Sequence, residues 1–300
     1  MQDHDTLLFL TDSHCGWIDG GWSQQPMHPE LMHSIAAGIS AIAARHEADL
    51  IVHGGDLTHS GCAQTADGLV NALSAAAPLA LCLGNHDLML ADGMDQWQAL
   101  RGRGVEVADT VIPLRHVDVV LLNVAWMHEG KPAMFWDGGE PEQVLSAEQH
   151  QWLDEVLKGG DRPVCLVVHA PLEPVPARLT GLADDIHPPP AVYARALGEL
   201  LERHPRVKLV LSGHNHVNTA TQRGGRWHLS TSSIAEPPFE LRLVRFGPGW
   251  FDVRTVPTIG SGPGVRFDPA KAWVSGQPAD RELCWQWSDG SATPRSPQSP

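Results

Sequence analysis

Five short apolar runs in this chain each stop at a loop that opens with Asp, Asn or His, and this recurrence constrains the fold more than any other feature. Residues 7–10 lead into Thr11-Asp12-Ser13-His14, and residues 50–52 into His53-Gly54-Gly55-Asp56. Residues 79–83 lead into Gly84-Asn85-His86-Asp87, residues 164–168 into His169, and residues 207–211 into Gly213-His214-Asn215-His216. Short continuous apolar runs of this kind suit strands buried on both faces. Between them lie segments with helical spacing. Leu31, Ile35, Ile39 and Ile42 mark one over residues 29–47, and an Ala- and Leu-rich stretch over 63–77 is closed by Pro78. A further helix is expected over 94–101. Another opens at the capping box Ser146-Ala147-Glu148-Gln149 and ends at Gly159-Gly160, and a last one covers 191–203. Residues 117–122 read as a strand. Residues 226–231, 241–246 and 250–256 read as antiparallel strands, the last two joined at Gly247-Pro248-Gly249. Strands alternating with helices, then strands alone, predict a mixed α/β layered domain. Loops at strand C-terminal ends are where such sheets place ligands and catalysts.

Composition narrows the function. With 35 acidic and 21 basic residues the formal charge is -14, which argues against a partner such as a nucleic-acid duplex. No stretch reaches the roughly 20 apolar residues of a membrane span. The acidic start, Met1-Gln2-Asp3-His4-Asp5, reads as no secretion signal. Five cysteines (Cys15, Cys62, Cys82, Cys165, Cys284) without CxxC spacing make a disulfide framework or a zinc–thiolate site improbable. The expected compartment is therefore reducing and most simply cytoplasmic. The Ser- and Pro-rich tail after about residue 290 is expected to be disordered. Two long connections, 126–143 and 170–190, are read as lids over a site.

The chain holds 17 histidines. The five loops gather carboxylates, an amide and imidazoles, without thiolates, a donor set suited to Mn, Fe, Zn, Ni or Co. Their order, D-x-H, GD, GNH-D, H and GH-x-H over residues 12–216, resembles the signature of the calcineurin-like metallophosphoesterases. That resemblance implies an α-β-β-α layered fold with mixed sheets inside and helices outside. The domain would cover 1–265, with 266–300 as a C-terminal extension. It implies two adjacent divalent transition-metal ions (Mn, Fe or Zn), one held by Asp12, His14, Asp56 and His216. The other would be held by Asp56, Asn85, His169 and His214, with Asp56 shared. A bridging hydroxide would attack phosphorus in line across cations about 3.5–4 Å apart. His86 would face substrate and serve the leaving oxygen, and Asp87 would either orient the His86 imidazole or cap the loop.

Purple acid phosphatases in this family carry an iron-binding Tyr where this chain has His59, and Tyr193 is the sole Tyr. A Tyr-ligated ferric site is not expected, and His59 suits an extra ligand, a substrate contact or, the favoured reading, a support behind the ligands. The wording Gly55-Asp56-Leu57-Thr58, Leu83-Gly84-Asn85-His86-Asp87 and Leu211-Ser212-Gly213-His214-Asn215-His216 is most similar to bacterial class III cyclic nucleotide phosphodiesterases and their glycerophosphodiesterase relatives. The expected activity is hydrolysis of a small phosphodiester, a cyclic nucleotide among the candidates; the alternative is a phosphomonoesterase on the same site. A nuclease would need a basic groove, and a catalytically dead scaffold would show damaged ligand positions.

Other histidines carry weaker expectations. His4, His46, His150 and His204 are expected to be solvated, while His28, His33, His128 and His187 lie in segments able to overhang the site. Trp126 and the Phe135-Trp136 pair suit either ordinary packing or stacking on a base. Arg223 to Arg226 suits a phosphate contact or a polar hairpin turn. Trp250, Trp273, Trp285 and Trp287 suggest an oligomer interface or a segment wrapped over the domain.

Overall fold

The first strand, Asp5–Leu10, is buried along its whole length, and its alternating side chains serve two different layers. Leu8 and Leu10 pack under helices Met32–His46 and Asp67–Ala76, whose Ile35, Ile39, Leu69 and Leu73 cover that face. Leu7 and Phe9 point the other way and meet Val119, Leu121, Val167 and Leu211 of a second sheet. The far face of that second sheet, with Val120, Leu122, Leu166 and Val210, is covered by Leu153 and Leu157 of helix Ala147–Lys158 and by Tyr193, Leu197 and Leu201 of helix Ala191–Arg203. The period-two alternation of strands buried on both sides thus yields an α-β-β-α sandwich. Each of these aliphatic side chains contributes about 1.5–3 kcal/mol by its removal from water. This computed structural model describes residues 3–107, 109–136, 142–260, 262, 264–288 and 291–294.

The first sheet is parallel through Asp5–Leu10, Leu50–His53, Leu79–Leu81 and Val105–Val107. On its other side it continues antiparallel through Glu240–Gly247, Trp250–Pro257, Glu282–Ser288 and Ser291–Pro294. In the second sheet Asp118–Leu122, Val164–Val168, Val207–Ser212 and Arg226–Ser230 run parallel, flanked by antiparallel Thr110–Pro113 and Thr219–Arg223. The expected capping box is present, with the Ser146 hydroxyl accepting the Gln149 N–H at 3.1 Å.

Several expectations change. Ser291–Pro294, within the tail expected to be disordered, pairs as an edge strand, while residues 295–300 lie outside the described residues. Trp285 and Trp287 join Phe251 in the core between the sheets, which places the C-terminal segment on the domain. The 126–143 connection holds a small three-stranded sheet, Ala125–His128, Lys131–Ala133 and Gln143–Val144, with residues 137–141 outside the described part. Trp126 is buried there, which removes it as a stacking surface. His204, expected in solvent, is buried with Nε2 2.7 Å from Asp154. No helix among the described residues is long and apolar enough to cross a membrane.

Candidate metal centre

All five predicted loops converge at one end of the sandwich. Asp12, His14, Asp56, His214 and His216 have positive φ values between 42° and 68°. This left-handed region costs a non-glycine residue about 1–2 kcal/mol, and its clustering here bends each loop so that its side chain turns inward. The glycines beside them have no room for a side chain. A Cβ on Gly84 would lie 2.2 Å from Asp56 Oδ1, and one on Gly213 would lie 2.5 Å from Asp12 Oδ2.

Two groups of ligand-type atoms result, each within 4.8 Å: Asp12, His14 and His216, and Asp56, His169 and His214. Asp12 is braced on one oxygen, Oδ2 accepting the Thr11 hydroxyl at 2.7 Å and the His214 N–H at 3.0 Å. Its Oδ1 faces His216 Nε2 at 3.2 Å and His169 Nε2 at 3.9 Å. Asp56 is arranged the same way. Its Oδ1 accepts the His86 N–H at 2.9 Å, while Oδ2 lies 3.2 Å from His169 Nε2 and 3.9 Å from His14 Nε2. One oxygen of Asp56 therefore stands between the two groups. Asn85 Oδ1 lies 3.1 Å from His214 Nδ1, beside the second group.

The imidazoles are held from behind. His169 Nδ1 donates to the Gly54 carbonyl at 2.9 Å, and His216 Nδ1 lies 2.5 Å from Glu236 Oε1. Such backing fixes the tautomer and ring direction of metal-binding histidines. Glu236 carries no signal in the sequence motifs.

These contacts suit cations. Asp12 and Asp56 are buried carboxylates whose ligand-facing oxygens meet imidazoles and, at Asp12 Oδ1, the His214 N–H at 3.3 Å, a costly desolvation if left at that. Nε2 of His14 and of His216 face each other at 3.3 Å, and His14 Nδ1 is buried without a hydrogen-bond partner. His169 Nε2 lies close to Asp56 yet makes no hydrogen bond, so both atoms aim at a shared point rather than at each other. Burial alone would lower the pKa of both His169 and His216. The Asp56 carboxylate overrides it at His169, raising it to about 9, and Glu236 with Asp12 raises His216 to about 10. Asp56 is held well below the usual carboxylate range: burial opposes this, but His169 and His86 outweigh it. The field that draws protons onto these imidazoles is one that holds a divalent cation, and the O/N donor set fits a transition metal.

His86 lies beside these groups and lines the same cleft, with Nδ1 donating to the His59 carbonyl at 2.7 Å. Its ring stacks on His59 at 5.0 Å and meets His14 edge-on at 4.8 Å. His14, His59 and His86 form a third ligand-type group, sharing His14 with the first.

Asp87 does not orient His86. Its buried carboxylate instead accepts the N–H groups of Leu57, Thr58 and Gly84 and the Thr58 hydroxyl, so it clamps the two loops as a cap. Burial first, then the Asp56 charge, pushes its carboxyl up to about 6.

Of the segments expected to overhang, 170–190 contributes His187 to a cleft of about 210 Å³ that also holds His86 and Trp22. His28 is buried elsewhere against Glu30 and the Arg266 backbone, and His33 is exposed on its helix. Arg223 pairs with Glu173 and Arg226 donates to the Leu201 carbonyl, the arrangement of a polar hairpin turn.

The chain is also similar to known proteins. Over 254 residues the chain is 29% identical to the 3',5'-cyclic adenosine monophosphate phosphodiesterase CpdA of Escherichia coli K12, covering 81% of this chain and 82% of that one. Among solved structures, a dimetal phosphatase from Danio rerio superposes with a TM-score of 0.60 at 15% identity, covering 85% of this chain and 97% of that one. A purple acid phosphatase from yellow lupin gives 0.57 at 12% identity, with 86% and 52% covered. These two likenesses concern the fold. Residues 6–218 match the calcineurin-like phosphoesterase family, and with the five loops assembled as that family's order requires, the chain belongs to it.

Proposed function

We propose that this chain is a dinuclear-metal phosphodiesterase acting on a small diester, with a cyclic nucleotide as the favoured substrate. The observation that carries the dinuclear reading is the single Asp56 oxygen set between His14 and His169, where two ligand groups meet. In this reading Asp12, His14, Asp56 and His216 hold one cation, and Asp56, Asn85, His169 and His214 the other. When bound, the pair supplies Lewis acidity and makes water acidic enough to ionise near neutral pH. The preference for a diester draws on the similarity to CpdA.

The chain's own residues have distinct tasks. Glu236 and the Gly54 carbonyl keep His216 and His169 pointed inward. The His86 backbone N–H restrains Asp56 Oδ1, so that Oδ2 stays directed at the centre. His86 keeps Nδ1 on the His59 carbonyl, and a proton held at Nε2 passes to the departing alkoxide oxygen.

The test is a manganese-loaded assay with bis-p-nitrophenyl phosphate, p-nitrophenyl phosphate and cyclic AMP. Faster release from the diester, with turnover of cyclic AMP, is expected. A monoester preference would overturn the diester reading. Asp56→Asn is expected to lose metal and turnover together, and His86→Ala to keep its metal while turnover falls about 10²–10⁴-fold.

A further inference from the structure

We infer that Trp22 is the platform on which a nucleobase of the substrate stacks, so that the diester taken by this site is a nucleotide. The inference rests on the phosphodiesterase reading above, with its nucleotide substrate, and adds the residue that recognises the base.

Trp22 stands at the mouth of the cleft with 53% of its surface open, while the other tryptophans among the described residues are buried or half-buried. Its ring centroid lies 5.1 Å from that of His216, so the indole begins beside the candidate metal ligands. His187, from the 170–190 connection, meets the same indole edge-on at 5.5 Å and 78°. The cleft behind these rings measures about 210 Å³, below the ~300–1,000 Å³ of pockets that enclose a whole organic ligand. It has room for a phosphate and part of a sugar. The remainder of the substrate projects to the rim, where the indole waits.

Trp22 is also held in place. The adjoining Gln24 and Gln25 donate their backbone N–H groups to Glu236 at 3.3 and 2.6 Å, the same carboxylate that backs His216. The Gln24 side-chain amide lies 3.0 Å from His187 Nε2 and 3.4 Å from the Asn215 carbonyl. A platform fixed before binding loses little entropy when a ring settles on it. Within the cleft, Asn215 is 3% exposed and its Nδ2 has no hydrogen-bond partner, a ready donor to a sugar or phosphate oxygen.

The shape selects the chemistry. One flat indole face with an imidazole edge beside it suits a planar base, because stacking needs only one face. A quaternary ammonium headgroup is recognised by an aromatic cage, and no second broad ring faces Trp22 here among the described residues. A glycerol or alkyl group would gain little from a π surface.

The experiment compares adenosine 5'-monophosphate with ribose 5-phosphate, two ligands alike in sugar and phosphate, by titration calorimetry on the full manganese-loaded chain. The wild-type protein is expected to prefer the nucleotide by roughly 5- to 150-fold, the span of one stacked base. Trp22→Ala should bring the ratio to about one and Trp22→Phe should keep most of it. Equal affinities in the wild type, or an unchanged ratio in Trp22→Ala, would overturn the platform and leave the phosphodiesterase reading standing. Failure of the wild type to bind either ligand would instead overturn the phosphoester site, and the platform with it.

Discussion

Replacing Asp87 by Asn distinguishes a carboxylate that clamps loops from one that tunes His86. Each oxygen of Asp87 receives two donors in a buried setting. Oδ1 accepts the Thr58 N–H at 2.9 Å and the Thr58 hydroxyl at 3.1 Å; Oδ2 accepts the N–H groups of Leu57 at 3.2 Å and Gly84 at 3.1 Å. In Asp87→Asn one oxygen becomes an NH2 group that faces two donors. Two buried donors then lack an acceptor, at about 1–3 kcal/mol each, for a total near 2–6 kcal/mol. Removing a negative charge that burial and Asp56 already disfavour offsets part of this, so the lower half of the range is expected. At about 2–4 °C per kcal/mol for a domain of this size, Tm should fall by roughly 4–16 °C in metal-saturated buffer. The assay is a thermal melt run beside steady-state kinetics on the same samples. A Tm within about 1 °C of wild type, joined to a large loss of kcat, would refute the clamp and restore the pairing with His86.

Two further outcomes are expected elsewhere in the chain. Glu236→Gln weakens the charge behind His216 and should reduce manganese affinity by about 10–100-fold in a chelator competition; unchanged affinity would leave Glu236 as a tie for the 24–25 backbone alone. His228 is buried on the second sheet, and burial followed by Arg226 and Arg223 lowers its pKa to about 4. Its unfolded pKa is about 6.5, so the unfolded chain takes up the proton first as pH falls. Stability is therefore complete above pH 6.5 and declines toward pH 4 by up to roughly 3 kcal/mol. Urea unfolding of His228→Leu at pH 7 and pH 5 should lose that share of the decline, and an unaltered pH slope would assign the proton to another group.

The layered fold and the converging loops were legible in the sequence because buried strands and metal-ligand residues leave local marks. Continuous apolar runs announced Asp5–Leu10 and Val164–Val168, and each was followed at once by its functional loop. Glu236 left no such mark: it lies 20 residues past His216 in a loop without periodicity, and only folding brings it to the imidazole. Trp22 likewise sits in an irregular segment where nothing nearby implies a ring at the mouth of a cleft. Asp87 was readable as acidic and adjacent to His86, but adjacency in sequence says nothing about direction; its side chain turns away toward Thr58. Strand Glu282–Ser288 carries a period of two, in Leu283, Trp285 and Trp287, but with two of its three apolar positions tryptophan the alternation is masked by an aromatic cluster.

The candidate ligands come from both halves of the sandwich. Asp12, His14, Asp56 and Asn85 follow strands of the first sheet, and His169, His214 and His216 follow strands of the second. On the proposed assignment each cation is a rivet through two layers, because neither layer holds a full set of donors. A nascent chain that has emerged only as far as residue 107 carries two carboxylates, an amide and the His14 imidazole but lacks the three later imidazoles. Tight metal capture then has to wait until the second sheet docks, and from that moment prising the layers apart means surrendering the ions. At a free metal concentration 1,000 times the dissociation constant, that linkage amounts to about 4 kcal/mol per site, so the loaded protein should resist proteolysis most strongly at the seam between its sheets.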